Sequence, residues 1–377
     1  MIEVLMLYLI IPKRLNFLQM SRYSTYGEQR FRQQFEKKFD FMSFNTELTT
    51  RFFGSRKAIA FDPSYISKSG KRTPYLGRFW SGCAGAVKKG LELSGIAAID
   101  IDLRQCLHLE AIQTAPVQTL GKVSMSLIQW YAQIICDRAK ELQKISYIVV
   151  ADAYFSKKEF VDKLLNAGFT LVSKLRDDAN LMYKSTEAHT GKKGAPKKYA
   201  GKINLKELDL SHFTPLSYTE KIEAFSAIVY SKALKRDILL VVEQFTCGSK
   251  VIQRLIFSTD ITACPTEVLD YYHCRFQIEF CYRDAKQATG LTHCQARSLN
   301  KLSFHFNASL TAVNIAKTVH WSCPETKEKP FSIANAKTLC HNAFILNRFI
   351  VLFGIKPNTI KNHQYIKELL YYGTIAA

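Results

Sequence analysis

The sequence predicts an α/β fold, a mixed sheet flanked by helices, interrupted by a β-rich insertion and bracketed by helical N- and C-terminal parts. Two observations carry this. Three apolar strand-like runs between residues 58 and 112 give way to alternating helix-like and strand-like periodicity. Three further β-rich runs, Lys221–Tyr230, Arg236–Phe245 and Lys250–Ser258, then follow with tight turn signals between them. The chain has 377 residues, 47% hydrophobic and 12% aromatic, which excludes wholesale disorder and leaves room for two or three domains.

Residues 1–54 read as helical. Lys13, Arg14, Arg22, Arg30 and Arg32 alternate there with aromatic and aliphatic residues, a mixture that suits a small DNA-touching module and equally a solvated helix with snorkelling arginines. The chain opens in an apolar run without a cap signal, which suggests an upstream piece. Ala58 to Asp62 is a short strand ending in a carboxylate. Gly82 to Asp102 reads as paired strands and His108 to Ile112 as a third. A helix is expected over about 122–144, then a buried strand from Ile145 to Val150 with Asp152 just past its end. Ser156 and Glu159 have capping-box spacing for a helix that stops at Gly168. Phe169 to Ser173 is the next strand. Residues 184–206 form a basic loop with seven lysines and one acid. One long helix is expected from Pro265 to Thr289, another over about 300–320, a polar linker over 322–330 and a last helix over about 332–349. The divisions that follow are 1–54, 55–182, 183–258, 259–320 and 321–377.

Lys plus Arg number 52 against 32 Asp plus Glu, a net +20, which points to a polyanionic partner, nucleic acid before an acidic membrane surface. The apolar opening, residues 1–12, is shorter than the roughly 20 residues of a membrane span. Its early acid, Glu3, argues against a signal peptide. It reads as the apolar side of a packed helix. The ten cysteines include no Cys-x-x-Cys pair, so the expectation is a reducing, cytoplasmic setting without a disulfide framework.

The segment from Tyr271 to Lys286 is the most informative. At about 100° per residue, Tyr272, Arg275, Glu279 and Lys286 fall within an arc of about 60° on one helix face. A plain Arg275–Glu279 i,i+4 pair explains only part of this. The stripe runs among aromatic and cysteine residues, and buried charges need a partner, a metal or a phosphate. Asp100 and Asp102 compete with Asp62 as acids on a strand. Asp284 points away from the stripe, Asp177 and Asp178 read as a turn, and no Ser/His/Asp or Cys/His arrangement or glycine-rich phosphate loop is present.

Tyr-x2-Arg-x3-Glu-x6-Lys resembles the signature of DDE transposases of bacterial cut-and-paste insertion sequences, and Tyr272, Arg275, Glu279 and Lys286 match each position and spacing. The blocks around Asp62 and Asp152 resemble the family's first and second acidic blocks, at intervals of 90 and then 127 residues. The resemblance covers about residues 55–320. It implies a ribonuclease-H-like fold, with Asp62, Asp152 and Glu279 catalytic and holding two Mg²⁺ or Mn²⁺ ions, an arrangement suited to in-line phosphodiester chemistry. It also implies that Tyr272, Arg275 and Lys286 hold DNA phosphates. Lys192, Lys193, Lys197 and Lys198 in the basic loop would add sequence-blind backbone contacts. The implied partners are double-stranded DNA, as transposon ends and target, and a second copy of the chain on paired ends. A metal-dependent nuclease on the same fold and a catalytically silent DNA-binding remnant are the alternatives.

Overall fold

The computed structural model describes residues 1–185, 198–205, 207–219, 222–247 and 250–375. Four helices open the chain, α1 (Ile2–Ile10), α2 (Phe17–Arg22), α3 (Glu28–Gln34) and α4 (Phe41–Phe52). Strands β1 (Lys57–Ser67), β2 (Gly77–Ser81), β3 (Ala86–Asp100) and β4 (Gln105–Gln113) come next. After α5 (Val117–Gly121), α6 (Leu127–Cys136) and α7 (Ala139–Leu142) the chain alternates β5 (Ile148–Val150), α8 (Lys158–Asn166) and β6 (Thr170–Lys174). The β-rich part comprises β7 (Leu181–Lys184), β8 (Tyr199–Lys202), β9 (Thr214–Thr219), β10 (Ile222–Ser231), β11 (Arg236–Cys247) and β12 (Lys250–Ser258). Helices α9 (Pro265–Cys274), α10 (Gln277–Gln287), α11 (Leu299–Ser322), α12 (Ile333–Phe353) and α13 (Ile360–Leu370) follow.

The strands form one mixed sheet of twelve, ordered β2-β3-β1-β5-β6-β12-β11-β10-β7-β8, with β4 on β3 and β9 on β10. β1, β3 and β4 pair antiparallel, whereas β5 and β6 run parallel to β1. With helices on both faces, this is the ribonuclease-H-like α/β layout that the sequence led us to expect. The β-rich insertion extends the same sheet, because β12 pairs antiparallel with β6.

Alternation along β1 builds the two cores. Ala58 and Ala60 face one cluster with α1, α10 and α11, while Ile59 and Phe61 face the other with α6 and α8. Helix α11 is buried along most of its length and closes the edge of β4. Asn307 accepts from the Ala111 N–H at 2.8 Å and donates to its carbonyl at 2.9 Å, and Asn314 does the same for His108 at 2.9 and 2.7 Å. Those side chains satisfy strand groups that an open edge would leave unpaired.

Some elements differ from expectation. The 122–144 helix divides into α6 and α7. Ser126 and Gln129 make the capping box of α6, whereas Ser156 makes none. The Ser156 hydroxyl donates instead to the Lys174 carbonyl at 2.6 Å, so α8 begins one residue later behind Lys157. The C-terminal tail, unremarkable in sequence, contains α13. The helix expected over Pro265–Thr289 is interrupted between α9 and α10 at Arg275 and Phe276, where the backbone bonds tighten to three-residue steps.

Gly95 is one glycine that the packing demands. It lies opposite Asp62 in the β1–β3 ladder, and a Cβ there would come within 1.8 Å of the Tyr282 hydroxyl. That hydroxyl donates to the Asp62 carbonyl at 2.6 Å, tying α10 to β1. We expect Gly95→Ala to destabilise the fold by about 1–3 kcal/mol through overpacking, measured by urea denaturation. Combined with Tyr282→Phe, which removes the clashing oxygen, it should cost less than the sum of the two single changes.

Candidate active site

Parallel register sets the site. Ala60 pairs with Val150, and Val150 pairs with Val172. Asp62 and Asp152 each stand two residues beyond those pairs, side by side on neighbouring strands spaced about 4.8 Å apart. The chain after β5 is fixed in place. Asp152 caps a short 3-10 turn by accepting from Tyr154 N–H at 2.9 Å, and its carbonyl accepts from the Ser173 hydroxyl at 2.8 Å.

Helices α9 and α10 bring the signature residues over this edge. Arg275 lies in the joint between them, its side chain 16% exposed, and donates to Glu279 at 2.9 Å. The joint does not scatter the group. Asp62, Tyr272 and Glu279 all act electrostatically on Arg275, and Asp152 acts on Tyr272. Lys286, two turns beyond Glu279, donates to the Ser64 hydroxyl at 2.9 Å and also feels the charge of Asp62. Burial pushes its pKa below the ordinary lysine value. Arg283 turns aside to Asp284 at 3.1 Å and over the Phe280 ring.

The acids are strained electrostatically. Burial pushes Asp62 up to about 7. Arg275 lowers it, and Asp152, Glu279 and Glu92 raise it further. Asp152 is also raised, by burial first, against the stabilising Tyr154 N–H and Arg275. Burial opposes the charge of Arg275, yet Asp62, Tyr272 and Glu279 outweigh it and raise its pKa. The Asp62 carboxylate has no hydrogen-bond or ion-pair partner among the described residues, and the Tyr282 hydroxyl reaches its backbone carbonyl instead.

The other sequence candidates divide. Asp100 is fully buried and accepts from the Gly54 and Leu103 N–H groups at 2.7 and 2.8 Å, a structural role beside the first residue of β1, whereas Asp62 lies at the middle of that strand, which runs on to Ser67 instead of ending at the acid as expected. Asp102 pairs with Arg56 at 2.7 Å. Lys198 is exposed beside β8, while Lys192, Lys193 and Lys197 lie outside the described residues. Sequence reasoning missed Glu92, a buried acid on β3 that accepts from the Tyr131 hydroxyl. A lone acid inside the apolar run Gly90 to Ile99 was the available signal.

As donors for a cation, Asp62 and Asp152 fit by their chemistry: hard oxygen ligands, adjacent, partly desolvated and short of positive charge. Among the described residues no group of three or more His, Cys, Asp or Glu is placed to hold one ion. Glu279 is turned to Arg275, with its side chain 53% exposed. Nine described cysteines are free, and no described helix is long and apolar enough to cross a membrane.

The raised Asp62 pKa has a sign. A carboxyl held above its unfolded value supports the fold below about pH 4 and loses that support as pH rises through about 7. Asp62→Asn should therefore raise the melting temperature at pH 8 in chelator, by roughly 2–4 °C per kcal/mol recovered. The gain should shrink toward pH 4, as followed by thermal denaturation across pH.

Residues 132–315 match the family model for the transposase DDE domain. The match runs from within α6 into α11. It includes Asp152, Tyr272, Arg275, Glu279 and Lys286, and Asp62 lies upstream of it. No curated protein matches the chain.

Proposed function

With a transposase DDE domain over residues 132–315 as the premise, we infer that the protein is a DNA transposase that binds the ends of its element, cuts a strand and joins the freed 3′-hydroxyl to target DNA. The match of residues 132–315 to that domain supports transposition-related phosphodiester chemistry, and DNA as substrate with divalent metals is the reading that goes with it. The observation that carries the finer reading is the pair Asp62 and Asp152, in register on parallel strands beneath Arg275, Glu279 and Lys286.

In this reading Asp62, Asp152 and Glu279 hold Mg²⁺ or Mn²⁺, which supplies activation of the attacking oxygen and charge neutralisation at the leaving oxygen. Glu279 would hold the cation in place of Arg275, whose guanidinium would then be free to take phosphate in a bidentate grip. Tyr272, on the last turn of α9, flanks that grip. Lys286, already short of solvent and donating to the Ser64 hydroxyl, offers its ammonium as a point charge to a phosphate on the other side of Glu279. Lys192, Lys193, Lys197 and Lys198 add sequence-blind backbone attraction. The net charge of +20 suits that partner.

Asp62→Ala, Asp152→Ala and Glu279→Ala should each abolish Mg²⁺-dependent nicking of supercoiled plasmid, with at least a hundredfold loss, while leaving DNA binding in place. The exposed Asp178 is the neutral control. Contacts that position the scissile phosphate act on rate more than affinity. Lys286→Ala should thus bind normally and cut slowly in single turnover, whereas Arg283→Ala should cut near the wild-type rate. Near-normal cutting by Asp152→Ala would remove the assignment.

A further inference from the structure

The row of residues at this sheet edge does not end at Asp152. Val150 pairs with Val172, so Lys174 stands two residues on, level with Asp152 and third in line after Asp62 and Asp152. β6 then pairs with β12 through Lys174 and Ile256. Arg254, two residues along β12 from Ile256, therefore shares its face and projects further toward the same edge. Strand by strand, the edge carries acid, acid, lysine, arginine. Lys174 lies two strand spacings from Asp62, about 10 Å, and Arg254 one strand further.

The two cations are available. The Lys174 side chain is 32% exposed, and its nearest acid is the exposed Asp177 at 4.0 Å, a loose pair. Arg254 is 45% exposed, and its guanidinium carbon lies 4.7 Å from the centroid of the Phe245 ring, which restricts it. The buried Glu243 stands directly across from it on β11 and pairs with it only loosely, at 3.9 Å, while also lying 2.8 Å from His273 Nε2. Lys174 and Arg254 share a cleft of about 750 Å³ with Tyr272, Arg275 and Gln277, and Arg104 stands among its walls. The acids of that cleft, Asp102 and Asp270, are both engaged by Arg56, at 2.7 and 2.8 Å. Its free lining is therefore basic.

We propose that Lys174 and Arg254 form a phosphate-binding track that leads the DNA strand away from the acids, across β6 and β12, toward the β-rich insertion. The track rests on the reading of Asp62 and Asp152 as the place of the scissile phosphate. It explains why the insertion continues the catalytic sheet: only a sheet joined through the β6–β12 pairing keeps Arg254 in line with Asp152 at strand spacing. A few nucleotides of backbone span the distance from the acids to Arg254. The ligand is the sugar-phosphate backbone, without base readout, since the walls supply guanidinium, ammonium and aromatic groups aligned along an edge.

The test is the salt dependence of binding, measured in Ca²⁺ by fluorescence anisotropy with a labelled 40-base-pair duplex of mixed sequence. Each phosphate contact removed flattens the plot of log K against log salt by about 0.9. Lys174→Gln and Arg254→Gln should each do so, and the double variant by about 1.8. Arg254→Lys, which keeps the charge, should restore the slope. Lys140→Gln, on the exposed face of α7, should leave it unchanged. If Arg254→Gln melts early because Glu243 has lost a nearby charge, Lys174→Gln alone decides. A folded Lys174→Gln protein with the wild-type slope overturns the track while leaving the transposase reading standing. A wild-type protein that shows no salt-dependent binding overturns both.

Discussion

Asp62 and Asp152 sit side by side because β1 and β5 run parallel in register, and two carboxylates so placed repel each other unless positive charge is brought to them. Much of the architecture answers that demand. α9 and α10 pack across the same sheet face and deliver Arg275 to the acids, with Lys286 close behind. The Tyr282 hydroxyl pins α10 to the backbone of Asp62 itself, and Gly95 leaves the space for it. The carboxyl of Asp62 is nonetheless held near neutrality, at a pKa of about 7. Burial, more than its acidic neighbours, is what holds that carboxyl up.

The same constraint explains which features were legible in the sequence. Tyr272, Arg275, Glu279 and Lys286 could be found because their chemistry is unusual for a helix lined with aromatic residues, and their spacing survives the joint at Arg275. The joint itself was invisible. Neither Arg275 nor Phe276 is a glycine or proline, and both keep right-handed helical angles, so packing against the sheet, not local propensity, makes the break. Asp62 and Asp100 looked alike, each at the end of an apolar run. The β1–β3 ladder separates them, since Asp100 pairs with Lys57 at the start of β1 while Asp62 lies beside Asp152.

Other misses share a cause. The short strands β7, β8 and β9 carry too little alternation to be read, and β9 includes Pro215, which suits an edge strand. Ser156 had the spacing of a cap, yet its hydroxyl found the Lys174 carbonyl instead. That bond joins the loop after Asp152 to the end of β6, so a local signal was overridden by an interaction that holds the site. Lys174 and Arg254 were not singled out, because a basic residue within a strand gains meaning only from its neighbours across the sheet.

The central claim is that the acids at this edge act on DNA through a metal ion they bind directly. Asp152→Cys tests it by replacing a hard oxygen ligand with a softer sulfur one, which Mg²⁺ accepts poorly and Mn²⁺ tolerates better. Plasmid nicking by the Cys variant, compared in the two metals, gives the answer. The account predicts no cutting with Mg²⁺ and partial recovery with Mn²⁺. Equal cutting with Mg²⁺ by the Cys variant and the wild-type protein would contradict it.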